Sequence, residues 1–175
     1  KEWSPQEMEF TFEGPAPGNL YLLQTRDMAM RERKKVVTFE PGDVDNGNIL
    51  GHGIGVSGGA MSGRLVFTLK EIDKWRSAEP DTPLILARSD TVPDDIKEIH
   101  AADGLLTARG GVTSHAAVVA HRLGKTGVVG CGSMRCDERS KVCEFSSLSL
   151  VSGDYISIDG REGSVYRGKI QVSLT

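Results

Sequence analysis

The most reactive combination of residues lies between positions 107 and 124 of the 175-residue sequence. There a Gly110–Gly111 pair is followed by the hydroxyl residues Thr113 and Ser114 and directly by His115. Paired glycines permit a tight turn and a close backbone approach. A helix that begins here offers unpaired N–H groups and a positive dipole end, which favour anions such as phosphate. Because a neutral imidazole is a nucleophile that forms covalent intermediates, the spacing indicates a phosphate cradle around a nucleophilic His115.

A structural interpretation of these residues is equally open. Side-chain oxygens of Thr and Ser accept backbone N–H bonds at helix starts, so Thr113 or Ser114 would cap the helix, and Thr113 is predicted chiefly as a cap. His115 would then be an ordinary histidine of the surface or core. The local residue types alone do not separate the two interpretations.

Three other patterns in the sequence could indicate a different chemistry, but each is a weaker candidate than the phosphate cradle. Residues 53–58 fit the G-x-G-x-x-G pattern of dinucleotide loops, but that pattern stands between a strand and a helix. A strand is predicted next here, so we expect a glycine-rich turn. Ser114 and His115 do not make a hydrolase pair, because helix neighbours point about 100° apart and Ser114 is not the centre of a G-x-S-x-G elbow. His121 lies off the helix face of His115, so we predict a solvated residue rather than a second metal ligand.

Composition excludes several further classes of function. The 24 acidic and 21 basic residues are interspersed and sum to a net charge of −3, so neither nucleic acid nor a membrane surface is a predicted partner. No apolar run approaches the ~20 residues that span a bilayer, and a cytoplasmic location is expected. The cysteines at 131, 136 and 143 form no disulfide framework and no C-x-x-C zinc pattern, so buried or incidental thiols are expected.

The elements that must position His115 alternate between strands and helices from about residue 50, which predicts the α/β class. The predicted strands cover residues 64–68, 83–87, 104–107 and 127–129. The predicted helices cover residues 68–75, 93–102 and 114–123. A hairpin is predicted over residues 154–168, and the five glycines between residues 51 and 59 are predicted to form turns.

A second hairpin is predicted at the N-terminus. Residues 8–13 alternate between apolar and polar types, and a Gly-Pro-Ala-Pro-Gly turn leads to a strand over residues 19–26. Because an isolated hairpin is marginal in water, it belongs to a larger sheet. Turn-forming residues cluster before residue 48. We therefore divide the chain into domains 1–38 and 39–175, with a hinge within residues 27–48.

The segment from Thr107 to Ala120 resembles the phosphohistidine signature of phosphoenolpyruvate-utilising enzymes, in particular of the pyruvate phosphate dikinase family. The resemblance continues in order through further segments of that family's swivelling domain, namely Gly55–Ala60, Pro83–Arg88, Asp94–Ile96, His100–Leu106, Gly130–Gly132 and Gly153–Gly160. It implies a swivelling β/β/α phosphohistidine domain in which His115 is the catalytic residue. One departure is His121, where the family usually has Arg.

The N-terminal hairpin is similar to the C-terminal end of the ATP-grasp nucleotide-binding domain in the same family. The resemblance implies nucleotide-binding roles for Glu9, Gln24 and Arg26, with Glu9 a Mg²⁺ ligand in a metal site that this chain does not complete. A carboxylate suits a hard cation and an arginine suits a phosphate. An exposed polar strand face is the alternative for these three residues.

The resemblance implies a phosphotransferase relay. ATP pyrophosphorylates His115 and leaves AMP, phosphate accepts the terminal phosphoryl group, and phosphorylated His115 converts pyruvate into phosphoenolpyruvate. The implied partners are the ATP-grasp domain and a phosphoenolpyruvate/pyruvate-binding barrel of the same full-length protein, with a homodimer formed through the barrel. The chain alone is expected to be inactive. The position of Thr113 is a regulatory phosphorylation site in relatives.

Two alternatives to the dikinase remain. A phosphoenolpyruvate synthase uses water in place of phosphate as the second acceptor, and a regulatory phosphocarrier module keeps the histidine without catalysis. The Thr-Ser-His triplet at residues 113–115 favours the dikinase over the synthase, because synthases typically carry Cys before the His.

Overall fold

The computed structural model describes residues 6–14, 17–27, 36–44, 48–146 and 148–174. It divides into two compact units, Lys1–Lys34 and Lys35–Thr175. The division predicted between residues 38 and 39 lies slightly later, because residues 37–39 form a strand that pairs inside the second unit. Much of the predicted hinge, residues 28–35 and 45–47, lies outside the described residues, as does part of the first predicted turn.

The first unit contains the predicted antiparallel hairpin. Its strands are β1 (Gln6–Phe12) and β2 (Leu20–Asp27). Phe10 and Phe12 stand opposite two leucines of β2, and more than half of each aromatic side chain is exposed. Among the described residues of this unit, the ladder leaves these aromatic rings exposed, and that the hairpin belongs to a larger sheet stays a prediction.

The second unit is rich in strands. In chain order the strands are β3 (Val37–Phe39), β4 (Ile49–His52), β5 (Ile54–Ser57), β6 (Ala60–Val66), β7 (Leu84–Arg88), β8 (Gly104–Thr107), β9 (Thr126–Val129), β10 (Arg135–Asp137), β11 (Val142–Phe145), β12 (Leu148–Val151), β13 (Tyr155–Asp159), β14 (Ser164–Arg167) and β15 (Val172–Leu174). The α-helices within the described ranges are α1 (Leu69–Ala78), α2 (Ile96–Ala101) and α3 (His115–Arg122).

Eight strands form one sheet in the order β4-β14-β13-β6-β7-β8-β9-β5. The strands from β6 to β9 run parallel, and α1, α2 and α3 connect each of them to the next. β4 and β5 occupy the two ends of the order, although only Gly53 separates them in the chain. Because one extended residue spans about 3.3 Å, the sheet must curl until its two edges meet.

The parallel strands are buried on both faces, so neighbouring residues of one strand enter different cores. Val66 and Leu84 pack with Ile72 of α1 among the helices, whereas Leu65 packs on the other face with Phe145 of β11. The layers are therefore the small sheet of β10 to β12, the eight-stranded sheet and the helices, which confirms the predicted β/β/α arrangement. Doubly buried strands have continuous apolar runs, which explains why the predictions for β7 and β8 agree closely with the structure.

The prediction of turns in the glycine-rich segment 51–59 is wrong, since β4 and β5 occupy most of it. These glycines allow other backbone to approach closely. A Cβ atom on Gly53 would lie 2.5 Å from the Val129 carbonyl oxygen, and one on Gly55 would lie 2.6 Å from that of Gly160. Strand interiors use glycine where a neighbouring backbone passes this near. Strand β6 follows the segment, so it lacks the strand-to-helix context of a dinucleotide loop.

The remaining helices and the strands β6 and β9 overlap their predicted positions, whereas no element is predicted at β3 or β15. A 3₁₀ turn over Pro93–Asp95 precedes α2, and residues 135–151, for which no element is predicted, form β10 to β12. The predicted C-terminal hairpin is present as β13 and β14. Among the described residues, no helix is long and apolar enough to cross a membrane.

Candidate functional site

His115 is the first residue of α3, and its side chain is half-buried. Ser114 is the N-cap, with extended backbone angles, and its Oγ accepts a hydrogen bond from the Ala117 N–H at 3.3 Å. Thr113 is exposed, so its prediction as the cap is wrong. The physical reason is position, because Ser114 immediately precedes the first helical residue and its oxygen reaches the third helical amide.

Small residues bring the start of α3 close to the sheet. Ala116, Ala117 and Ala120 are fully buried, and a Cβ on Gly127 of β9 would lie 3.3 Å from the Ala120 Cβ. The helix axis can therefore lie close to the strands, with the imidazole of His115 at its N-terminal end. That end carries the partial positive charge of the helix dipole.

The glycine pair before α3 serves two different purposes. Gly110 has φ +109°, and a Cβ there would lie 2.9 Å from Ser114 Oγ. Gly111 has open space around its Cβ position, and its carbonyl oxygen accepts the Ser114 N–H at 3.0 Å. Gly110 is thus required by both backbone angle and space, whereas Gly111 is not. The Ser114 amide is bonded within the loop and is not part of a free cradle.

A residue that the sequence analysis missed contacts His115. Thr91 Oγ1 lies 3.4 Å from His115 Nδ1, and Thr91 is 8 % exposed. Thr91 follows β7, whereas the glycine loop follows β8, and the two strands are parallel neighbours. The signal that identifies it is topological, because the carboxyl ends of neighbouring parallel strands meet at one edge, where binding sites of open α/β sheets form.

The loop that carries Thr91 is held by a buried ion pair. Arg88, only 7 % exposed, places its Nε 3.1 Å from Asp95 Oδ1 and also donates to the Phe67 carbonyl. Asp95 Oδ2 accepts the Val92 N–H at 2.9 Å. A buried charge is tolerated when it is paired and hydrogen-bonded, so Arg88 and Asp95 close the loop around Thr91.

The same loop is also held from the small sheet. Glu138, in the turn between β10 and β11, accepts the Ser89 N–H through Oε1 at 2.8 Å. Ser89 directly follows β7. The loop over residues 89–95 is therefore fixed at its first residue by Glu138 and at its last by Arg88.

The outer side of α3 is partly apolar. A cavity of about 440 Å³ borders it, lined by Gly55, Val56, Val112, Ala117, Val118, His121 and Arg122. Val112 is 67 % exposed and lies just before the cap. His121 is exposed, which confirms the prediction of a solvated helix residue.

The predicted nucleotide-binding residues lie in the hairpin unit. Glu9 stands directly opposite Gln24 in the ladder, and Arg26 stands opposite Glu7. Glu9 and Gln24 are exposed. The register places Arg26 two rungs away from the Glu9–Gln24 pair, and the role of the three residues remains a prediction. Across the described residues of the chain, no three His, Cys, Asp or Glu side chains gather as a metal site.

The comparisons with known proteins identify the family. Residues 80–163, which include Thr91, the glycine loop and α3, match the family described as PEP-utilising enzyme, mobile domain. Residues 80–163 therefore belong to the mobile domain of PEP-utilising enzymes. The loops at the edge of β7 and β8 are thus part of the mobile domain.

Relatives of this mobile domain confirm the resemblance predicted from the motifs. The chain is 36 % identical to a pyruvate, phosphate dikinase of Clostridium symbiosum over 95 % of its length. It is 37 % identical to that of Rhizobium meliloti (strain 1021) over 94 %, and 45 % identical to pyruvate, phosphate dikinase 1, chloroplastic, of Arabidopsis thaliana over 69 %. The chain spans only 22, 21 and 12 % of these three proteins.

One solved structure also aligns with part of the chain. The NMR solution structure of Enzyme I (nEIt) covers 49 % of this chain and 30 % of its own at 29 % identity. Its TM-score is 0.34, which is too low to bear on the fold.

Proposed function

We propose that this chain is the phosphoryl-carrier part of a pyruvate phosphate dikinase-like enzyme and that His115 carries the phosphoryl group. The observation that carries the proposal is the position of His115, at the first residue of α3 with Nδ1 beside the Thr91 hydroxyl. A helix N-terminus favours the negative charge that phosphorylation adds. The chain is similar to dikinases over 95 % of its length. This similarity supports the proposed substrates of the phosphoryl transfer.

The proposed reaction runs through one histidine nitrogen in three transfers. The nitrogen attacks the β-phosphorus of ATP, the bond to the α–β bridging oxygen breaks, and AMP leaves. Orthophosphate then attacks the γ-phosphorus, so that diphosphate leaves and one phosphoryl group stays on His115. The enolate oxygen of pyruvate attacks that phosphorus, the P–N bond breaks, and phosphoenolpyruvate and free imidazole result. The covalent intermediate divides one difficult transfer into easier steps.

Thr91 determines which nitrogen reacts. When Nδ1 carries the proton and donates it to Thr91 Oγ1, the lone pair lies on Nε2, because a neutral imidazole has one donor and one acceptor. Nε2 is therefore the proposed nucleophile. The contact also orients the ring, as partners of a histidine Nδ1 commonly do.

The cradle of the proposal uses the first turn of α3. Ser114 caps the amide of Ala117, which leaves the amides of His115 and Ala116 to face a phosphoryl group, since first-turn amides have no carbonyl partner within a helix. The hydroxyls of Ser114 and Thr113 add donors. Gly110 shapes the loop, and the open side of Gly111 leaves space for the phosphoryl oxygens.

Magnesium would neutralise phosphate charge in such transfers, but the described residues do not form a site for it. Glu9 supplies a single exposed carboxylate next to the amide of Gln24, and no cluster of three ligands is present among the residues described. No step is therefore assigned to a metal bound by this chain. The metal is expected to arrive with ATP at the remaining part of the nucleotide site.

The hairpin unit is proposed to be the end of an ATP-grasp domain, with Glu9, Gln24 and Arg26 at its nucleotide site. The support is the register, which pairs Glu9 with Gln24 and places Arg26 two rungs along the same ladder, and the alignment with dikinases, which reaches into this unit. The partners are then the rest of that domain and a phosphoenolpyruvate/pyruvate-binding barrel in the same protein, which also forms a homodimer. The cytoplasm, where these substrates are available, is the proposed location.

Thr113 is proposed as a regulatory phosphorylation site. Its side chain is exposed, so it can be reached without unfolding the helix. A phosphate there adds about −1.5 to −2 charge two residues before His115. That charge would repel an incoming phosphoryl donor and compete for the first-turn amides.

A phosphoenolpyruvate synthase is the second candidate within the same chemistry. It differs only in the acceptor of the γ-phosphoryl group, which would be water, and Ser114 before His115 favours the dikinase. A non-catalytic phosphocarrier module is the candidate from another class. It would be phosphorylated on His115 without forming phosphoenolpyruvate.

The test is phosphoryl labelling of the full-length protein. Incubation with β-labelled ATP and Mg²⁺ should label the native protein with an acid-labile, base-stable group, and His115→Asn should abolish it. His121→Asn is the matched control, because His121 is exposed on the same helix, and it should label normally. Labelling that survives in His115→Asn, or that is absent from the native protein, overturns the proposal.

A second label separates the candidate functions. With γ-labelled ATP and phosphate, a dikinase releases the label as diphosphate, whereas a synthase releases it as orthophosphate. Formation of phosphoenolpyruvate from pyruvate distinguishes both enzymes from a carrier module.

A further inference from the structure

Two cysteines stand directly opposite each other in the small sheet. Cys136 of β10 is the register partner of Cys143 of β11. Directly opposed residues of an antiparallel pair have Cα atoms about 4.5–5.5 Å apart, within the roughly 4.4–6.8 Å that a disulfide spans. Both residues contact the same core on that face of the eight-stranded sheet. The two thiols are therefore positioned to bond without a rearrangement of the strands.

The two thiols differ in their access to solvent. Cys143 is fully buried, whereas Cys136 is half-buried and borders an open cavity of about 280 Å³ that also contacts Arg135, Asp137 and Ser140. A hydrogen bond with Cys136 and burial both raise the pKa of Cys143, so Cys143 stays protonated. A small oxidant in solvent therefore meets Cys136 first, since reactivity follows exposure and thiolate character.

We propose that Cys136 and Cys143 form a reversible disulfide when the protein meets a hydroperoxide. The Cys136 sulfur attacks one peroxide oxygen, the O–O bond breaks, and Cys136 becomes a sulfenic acid while water, or an alcohol, leaves. The Cys143 sulfur then attacks the Cys136 sulfur, the S–O bond breaks, and the Cys143 proton leaves with the hydroxyl group as water. Two thiols lose two electrons in total, and the peroxide gains them. A dithiol reductant reverses the bond by thiol exchange.

Cys131 provides an internal comparison. It is also buried in this core, and its Sγ lies 3.5 Å from the Ser133 Oγ. It follows β9 and has no cysteine opposite it in a strand pair. The three cysteines thus share one core, but only the pair in β10 and β11 has cross-strand register.

The bond would stiffen the hairpin that holds the loop after β7. Glu138 lies in the turn that joins the two cysteine strands and accepts the Ser89 N–H. Opening of β10 from β11 would withdraw Glu138 from Ser89. A bridge between Cys136 and Cys143 prevents this opening, so oxidation should slow amide hydrogen exchange across the hairpin.

The sequence allows a direct test by peptide mapping. Trypsin cleaves after Lys125, Arg135, Arg139, Lys141 and Arg161, which places the three cysteines in three separate peptides. Full-length protein is treated with a small excess of hydrogen peroxide, alkylated, digested without reductant and analysed by mass spectrometry. We expect a linked species of residues 136–139 and 142–161 that disappears after reduction.

Other linkages or modifications count against the proposal. A bridge to the peptide of residues 126–135, a disulfide between two chains, or irreversible oxidation of Cys136 with Cys143 still free overturns it. Cys131→Ser is the matched variant and should form the same bridge to the same extent. In Cys143→Ser, a cyclic 1,3-diketone should trap the sulfenic acid on Cys136, and a failure to trap it there also contradicts the mechanism.

Discussion

Thr91 Oγ1 lies 3.4 Å from Nδ1 of His115 and links the loop after β7 to the first residue of α3. Thr91 is buried whereas His115 is half-buried, so the contact is partly withdrawn from solvent. Its loop is in turn fixed at both ends, by Glu138 and by Arg88. The orientation of the proposed nucleophile is therefore set by residues distant in sequence, and Thr91 acts as a positioning residue.

Thr91→Val tests this contact because it keeps the shape of the side chain and removes the hydroxyl. We expect phosphohistidine formation to slow about five- to tenfold, since a hydrogen bond contributes about 1 kcal/mol. Thr91→Ser keeps the hydroxyl and should recover most of the rate. The measurement is single-turnover labelling of the full-length protein over a range of pH. If Thr91 served only for packing, Val would behave like the native residue and Ser would be the impaired variant.

Gly110→Ala and Gly111→Ala should differ in stability. Gly110 has φ +109° and its Cβ position is 2.9 Å from Ser114 Oγ, so alanine there should lower the free energy of unfolding by about 1–3 kcal/mol. Gly111 has open space at the Cβ position, and alanine there should change it by less than about 1 kcal/mol. Urea unfolding measures both. Equal effects of the two substitutions would contradict the different roles of the glycines.

Arg88→Met should destabilise the fold by about 3 kcal/mol, because removal of one partner of a buried pair leaves the other charge uncompensated. The loop around Thr91 should loosen as well, which amide hydrogen exchange over residues 89–95 would detect. Arg122→Met is the control, since Arg122 is exposed on α3 and surface substitutions usually change stability by about 0.5 kcal/mol or less. A stability loss without faster exchange in the loop would show that Arg88 does not hold it.

Thr113→Glu should separate the effect of a negative charge on phosphoryl transfer from its effect on the free energy of unfolding. A negative charge near a helix N-terminus stabilises the helix by about 0.3–1 kcal/mol, so unfolding should occur at the same or a higher urea concentration. Phosphoryl uptake by His115 should nevertheless fall, because the carboxylate repels the donor. Thr113→Val, which adds no charge, is expected to label close to the native rate. Normal labelling of Thr113→Glu would remove the support for electrostatic regulation at this position.

Glu71 predicts a pH dependence of stability. Burial opposes ionisation of Glu71, but hydrogen bonds from the Ser152 and Thr68 hydroxyls and the Phe67 N–H outweigh it and lower its pKa below 4.5. A depressed native pKa adds stability above the unfolded-state pKa, and this stability is lost as the pH falls through the native value.

Near neutral pH the free energy of unfolding of the native protein should therefore exceed that of Glu71→Gln. This difference should disappear as the pH falls below about 4.5. Urea unfolding at several pH values measures the difference. Glu144→Gln, at an exposed position, is the control for the general effect of losing one carboxylate. A difference between native and Glu71→Gln that is independent of pH would show that ionised Glu71 is not the source.

The sequence predicts the elements whose residues are locally consistent. β8, from Gly104 to Thr107, and the helix that starts beside His115 agree closely with the structure, because continuous apolar runs and capping residues are local signals. The glycines near Gly53 are predicted wrongly for the opposite reason. Gly51 and Gly55 lie in strands, and distant backbone closely approaches Gly53 and Gly55, which nothing in their own neighbourhood indicates.

The candidate site shows the same difference between residues identified by local signals and residues identified only by long-range contacts. His115 and the glycine loop are contiguous in the sequence and could be selected together. Arg88 ends β7 and Thr91 lies in the loop after it, whereas Glu138 lies in the turn between β10 and β11, and the fold brings them together at one edge. Their contribution depends on topology, so residue types and spacing alone did not distinguish them from other polar loop residues.

The closed strand order has a consequence for synthesis of the protein. The strand of residues 49–52 pairs with that of residues 164–167, so its partner leaves the ribosome more than a hundred residues later. Until then the early strand is an unpaired edge, which is a site for association with other chains. Such long-range pairings fold slowly. A nascent chain of this protein should therefore remain dependent on chaperones until the final hairpin has emerged.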